Sequence, residues 1–130
     1  MAIRTKFTVD LSLSENGGEA KELGASPPWK GVNDQLDDGG TWRRKIVGSA
    51  TDIEIDLNGL ANGRLIGIKT TKQIAVKKNS ALGEAWLVRP LGTGAMEGIF
   101  LVTTDGVTSL FVSNPGAEDA EVTFSIAGIF

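Results

Sequence analysis

Histidine, cysteine and tyrosine do not occur in this chain. Without cysteine there are neither disulfides nor thiolate metal sites, which fits a reducing compartment or an assembly that holds without cross-links. Without histidine the commonest general base near neutral pH and a common metal ligand are missing. A Ser-His-Asp set and a histidine-based zinc site are therefore excluded. An excess of either charge is lacking too: 13 basic residues against 16 acidic ones give a net charge of −3. Neither a nucleic-acid groove nor a membrane-surface patch is indicated. No apolar run approaches the ~20 residues that span a bilayer, and the opening MAIRTKFTVD alternates where a signal peptide needs a continuous apolar stretch. These absences point to a soluble, non-exported chain.

Helix-forming sequence is scarce as well. Only KELGA near residue 23 and NSALGEA near residue 82 have the composition for a helical turn, and glycine interrupts both. What the chain does have is alternation. In IRTKFTVDLSL the odd positions Ile3, Thr5, Phe7, Val9, Leu11 and Leu13 are apolar or β-branched, and the even ones are polar. Period-two alternation places one face on a core and the other in water. Residues 14–40 show no sustained period, and Gly17-Gly18, Pro27-Pro28 and Gly39-Gly40 punctuate them. They read as a long irregular loop or arm, which is uncommon in a compact domain unless it has a function.

From Thr41 onward short strands follow one another: TWRRKIV, TDIEIDL, RLIGIKT, KQIAVKK, EAWLVRPL, EGIFLVTT, VTSLFVSN and AEVTFSIAGIF. Between them stand Asn58-Gly59, Asn62-Gly63, Asn79, Asp105-Gly106 and Asn114-Pro115-Gly116, residues that tolerate positive φ or preset a turn. Strands at this spacing predict a sandwich or barrel, not βαβ units. The expected fold is an all-β antiparallel sandwich of about eight strands, a single domain over 1–130 whose residues 14–40 form the loop. Its expected core holds Phe7, Val9, Leu11, Ile53, Ile55, Ile66, Ile68, Val112, Phe124 and Ile126. Within 109–128 the pattern predicts a β-hairpin, with Asn114-Pro115-Gly116 as a type II turn.

Chemistry-bearing motifs are few. No serine sits in a Gly-x-Ser-x-Gly elbow. Gly92-Thr93-Gly94 is followed by no helix-forming run and no Gly-Lys-Ser/Thr, so it is no phosphate loop. In NDQLDDGG, Leu36 breaks the alternating oxygen ligands of an EF-hand, and no glutamate closes the loop at the required distance; a solvated acidic loop is the better reading. Asp52, Glu54 and Asp56 share one strand face, about 6.5–7 Å apart for next neighbours, a spacing glycosidase carboxylates also use. Outward acids on a strand more commonly serve solubility. No catalytic residue, cofactor or metal is therefore expected.

The aromatic residues say more. Trp86 alternates with Val88 and reads as core. Trp29 follows two prolines in polar sequence, where it is either a lid folded back on the domain or an anchor for a partner, since tryptophan and arginine are enriched at interface hot spots. Trp42 stands beside Arg43-Arg44-Lys45 at the far end of the same segment. Trp29, Lys30, Trp42, Arg43 and Arg44 are the candidate interface residues.

Two stretches carry a family resemblance. DIEIDLNGLANGRLIGIKTTKQIAVKKN has a Leu-Ala-x-x-Arg-Leu-x-x-Ile-Lys-Thr strand between two others. GIFLVTTDGVTSLFVSNPGAEDAEVTFSIAG supplies Thr-x-Leu-x-Val-Ser-Asn-Pro and a closing Val-x-Phe-x-Ile-Ala-Gly strand. Over residues 50–130 the chain resembles small jelly-roll or β-sandwich virion proteins of tailed bacteriophages, of the capsid decoration or cement type. The resemblance implies a non-enzymatic protein in the virion, assembled in the host cytoplasm, that stabilises the head by bridging major capsid subunits. It further implies a homo-oligomer, a trimer by preference, that uses termini or loops as arms; Met1 to Ile3 and Glu15 to Gly40 are the arm candidates. The alternative is a tail or fibre sandwich that recognises a host-surface glycan or receptor.

Overall fold

The structure is a computed structural model that describes residues 3–9, 12–13, 21–22, 29–36, 38–57, 59–91 and 97–130; side chains are described for 36, 38–57, 59–91 and 97–130. Contacts divide the chain into two compact units, residues 1–36 and 37–130. Among the described residues there is no helix.

In the first unit β1 (Ile3–Val9) pairs antiparallel with β4 (Trp29–Leu36), and β2 (Ser12–Leu13) pairs with β3 (Lys21–Glu22). The first strand expected from alternation is thus present; Phe7, Val9 and Leu11, placed in the core by the sequence, lie outside the described side chains.

The second unit is the sandwich. Its strands are β5 (Asp38–Ile46), β6 (Ile53–Ile55), β7 (Asn62–Thr70), β8 (Ile74–Lys78), β9 (Trp86–Val88), β10 (Gly98–Val107), β11 (Leu110–Ser113) and β12 (Ala120–Ile129). They form two antiparallel four-stranded sheets, ordered β10-β7-β12-β5 and β6-β11-β8-β9. The chain halves are nested: β5 lies beside β12, β6 beside β11, β7 beside β10 and β8 beside β9. Successive pairs fall in alternate sheets, which is a long hairpin rolled around a core. That order is the jelly roll, a double sheet built of two Greek keys.

Rows of side chains across the first sheet show how the sequence is used. Trp42, Phe124, Ile68 and Phe100 are register partners across all four strands, and Gly40, Ile126, Ile66 and Val102 form the next row. These rows face inward, with Phe124, Ile68, Ile126 and Ile66 almost wholly buried. Opposite them the second sheet presents Ile53, Val112, Val76 and Trp86 as one row. Burying each large apolar side chain contributes about 1.5–3 kcal/mol, so this face sets the fold. Of the expected core, Ile55, Ile66, Ile68, Val112, Phe124 and Ile126 are buried, and Ile53 packs against the cluster half-buried.

Three expectations need correction. Residues 29–36 and 38–40 are strand, not loop. The segment WKGVNDQL lacks alternation, yet its backbone pairs with β1; strand formation depends more on context than on composition. Gly39 reads as a breaker but serves close packing, since a Cβ there would stand 2.8 Å from the Ala127 Cβ. The second correction is that 109–128 is not a hairpin: β11 and β12 belong to different sheets, and β12 runs between β5 and β7. The third is that Asn114-Pro115-Gly116 is not a type II turn, because positive φ among described glycines occurs at Gly59 and Gly106 and not at Gly116. Here the chain crosses between sheets, and the Asn114 side chain organises the crossing.

Candidate functional site

A two-sheet sandwich has four edge strands, here β5 and β6 on one side and β9 and β10 on the other. Both sides carry a tryptophan. On the first, Trp42 ends its inward row half-buried and stacks on Phe124, with ring centroids 5.9 Å apart and planes at 28°. Arg44, two residues along, donates from Nη1 to the Glu54 carbonyl on β6 at 3.4 Å, spanning the gap between the two edges. Gly40, Thr41, Trp42, Arg43, Arg44 and Asp56 line a shallow cleft there. Arg43 is exposed and by alternation belongs to the outer row with Thr123, Lys69 and Ile99. Lys45 stands 3.8 Å from Asp119, an exposed pair of little energetic weight.

Of the five expected interface residues, Trp42, Arg43 and Arg44 are thus consecutive on an exposed edge, although Trp42 also serves the core. Trp29 and Lys30 open β4, opposite Val9 and Thr8; their side chains lie outside the described residues. Of Asp52, Glu54 and Asp56, the first is tied into the fold. Asp52 has left-handed φ (48°), takes a hydrogen bond from Lys77 Nζ at 3.1 Å and another from the Ser113 hydroxyl at 3.3 Å.

On the other side Trp86 meets Phe100, centroids 5.1 Å apart, and Lys78 Nζ lies 5.9 Å over the Trp86 ring, a cation–π contact. Trp86, expected as core, is 43% exposed because it ends its row on an edge strand. On β10 the outer-row residues Ile99 and Leu101 are also exposed, Ile99 to 69%, an apolar edge that sequence reasoning missed. Ile99-Phe100-Leu101-Val102 is apolar at every position, a pattern that reads equally as a strand buried on both faces.

The polar chemistry of the described residues is turned inward on the fold. Among the described residues the buried polar ones are Thr70 and Asn114, and none has a buried side-chain polar atom without a partner. Asn62 donates to Asp105, with Arg64 at 3.3 Å, and accepts from the Gly106 N–H at 2.8 Å; the Asn62 bond leads in holding the Asp105 carboxyl below its usual range. The hydrogen bond and charge of Lys72 do the same for Glu118, 2.8 Å away. Among the described residues no group of three or more Asp or Glu is placed to hold a metal. Chemically the arrangement offers contact surfaces: a cationic edge at β5 and an apolar one at β10.

No family model, curated protein or solved structure matches the chain.

Proposed function

We propose that the chain is a non-enzymatic structural protein of a tailed-phage virion, a decoration protein that holds the head together by bridging major capsid subunits. The jelly-roll strand order is the observation that carries this reading. It is an architecture used by capsid and lectin domains, and it adds to the resemblance of residues 50–130. Fold alone does not fix function, but the surface agrees: exposed edges and flat sheet faces suit protein–protein contact more than enclosure of a small substrate. The homo-oligomer, with a trimer preferred, belongs to the same reading.

The test is to add the purified chain to undecorated heads of the phage that encodes it and to locate it by electron microscopy. Regular, stoichiometric density on the capsid lattice supports the proposal; absence from heads and virions alike overturns it. The Trp42–Arg44–Asp56 cleft favours one second reading, a glycan-binding module of a tail or fibre, because it joins an aromatic surface to charged hydrogen-bonding groups. Glycan-array binding that disappears in Trp42→Ala, with no head binding, assigns that function instead.

A further inference from the structure

We propose that β10 is a self-association edge, pairing antiparallel with β10 of a second copy across a two-fold axis with Ile99 opposite the partner's Leu101.

The four edges of the sandwich are guarded unequally. Arg43, Arg44 and Lys45 line β5, and Asp52, Glu54 and Asp56 lie along or beside β6. Charges at such positions are a common defence against unwanted strand pairing. β9 has three residues, and a short edge is another defence. β10 has ten residues, and from Gly98 to Thr104 it carries no charge and no proline. Its ladder with β7 is regular from Gly98 to Thr103 and shifts register before Val107, so the flat part of the edge is the uncharged part. A long, flat, apolar edge of this kind is a template for another strand.

A second copy fits this edge better than an unrelated strand does, because the sequence is self-complementary in one register. With Phe100 opposite the partner's Phe100, Ile99 meets the partner's Leu101 and Glu97 meets the partner's Thr103. Sliding by one pair sets Leu101 against the partner's Leu101 but brings Glu97 opposite the partner's Asp105, and like charges directly opposite destabilise a ladder. Sliding the other way sets Glu97 opposite the partner's Leu101, a charge against the apolar run, so the flanking charges select the first register. In it the outer-row residues Ile99 and Leu101 of both copies form one apolar cluster over the joined sheets.

Ile99 and Leu101, 69% and 39% exposed, are the apolar side chains this contact covers, and the main chain of the β10 edge supplies the rest of it. A two-fold contact of this kind is isologous and closes on itself, and it is independent of what the protein binds.

Sedimentation velocity with light scattering over a wide concentration range tests it on the full chain. The wild type is expected to be a concentration-dependent, even-numbered assembly: a dimer through this edge alone, or a hexamer where the trimer of the proposed function also forms. I99K/L101K is expected to raise the dissociation constant at least about 100-fold while leaving the circular dichroism in place, both side chains being exposed, and to remove the dependence of the melting midpoint on protein concentration. Leu82→Lys, at a residue 97% exposed away from this edge, is expected to change nothing. Because the chain has no cysteine, single-cysteine variants report register: a mixture of I99C and L101C is expected to give a covalent heterodimer under mild oxidant, and either variant alone is not. A monomeric wild type, a trimer or dimer whose mass survives I99K/L101K, or open-ended fibres would each overturn the proposal.

Discussion

Asn114 Nδ2 donates to the carbonyl of Ile46, 68 positions earlier in the chain, at 3.0 Å. The same nitrogen donates to the Glu118 carbonyl at 2.7 Å, and its Oδ1 accepts from the Gly116 N–H at 3.1 Å. One side chain, 1% exposed, thereby joins the end of β5 to the segment that carries the chain from β11 to β12. Asn114→Ala leaves these partners unsatisfied in a largely buried place, where each orphaned group costs about 1–3 kcal/mol. The expected loss is about 2–4 kcal/mol in urea unfolding at unchanged m-value. Limited proteolysis should cut first between Pro115 and Asp119. A loss within experimental error would show that water or a neighbouring group replaces the amide.

Phe124 lies at the centre of an inward row that spans the sheet, wholly buried and stacked on Trp42. Phe124→Ala should cost about 3–5 kcal/mol, as truncating a buried aromatic ring does. It should also shift Trp42 fluorescence, because the indole loses the ring beneath it. Trp42→Phe should keep the stack and lose much less. Comparable losses in the two variants would contradict the packing.

Gly128→Ala probes a close approach between β12 and β7. A Cβ at residue 128 would fall 2.0 Å from the Asn62 carbonyl oxygen, which is backbone, and the ladder shifts register at this point. One strand must move, and the expected cost is at least the 1–3 kcal/mol typical of overpacking. Gly40→Ala is the control, since a Cβ at Gly40 meets nothing within 4 Å. Equal melting midpoints for the two variants would argue against the close approach.

Asp105 gives the pH prediction. Its carboxyl is held below the usual range, foremost by the Asn62 hydrogen bond; burial opposes this, and Arg64 and the Gly106 N–H add to the lowering. A depressed folded-state value means that the charged form stabilises the native turn. That contribution is complete above the unfolded-state value and is lost as pH falls through the lowered folded one. The midpoint difference between wild type and Asp105→Asn should therefore be constant from neutral pH down to the carboxylate range and shrink below it. A difference that grows on acidification would reverse the assignment.

The sandwich strands are legible in the sequence because each alternates or ends at a turn residue. The Ile53-Glu54-Ile55 and Val122-to-Ile126 patterns place their inner faces without help. Connectivity is not legible by the same means. Leu110 to Ile126 carries two strand patterns a few residues apart, and nearness in sequence favours a hairpin. What separates the strands into two sheets is the nesting of β5 against β12, a contact between distant segments. Of the candidate site, Arg43 and Arg44 are readable as an exposed cationic run. The Ile99–Leu101 edge is not, since strand order decides whether a doubly apolar strand is central or at the rim. β4 is the opposite case, a strand with no apolar period, formed by pairing with β1.

The last prediction concerns the boundary at residue 36. Both four-stranded sheets, and the hydrophobic cluster formed by the described side chains, come from residues 38–130, and the compact unit that contains them begins at residue 37. A fragment of residues 37–130 keeps every nested strand pair, so it retains the burial that offsets roughly 1–2 kcal/mol of backbone entropy per ordered residue. Expressed alone, it should give a β-type circular dichroism spectrum, a single cooperative unfolding transition and dispersed amide resonances. Removing residues 16–38 instead deletes β3 and β4 and takes the first residue of β5, leaving β1 without its partner. That internal deletion should expose β1 and aggregate more readily than the clean fragment. If the 37–130 fragment is unfolded while the full chain is folded, the first 36 residues belong to the folding unit of the sandwich, and the division at this boundary fails.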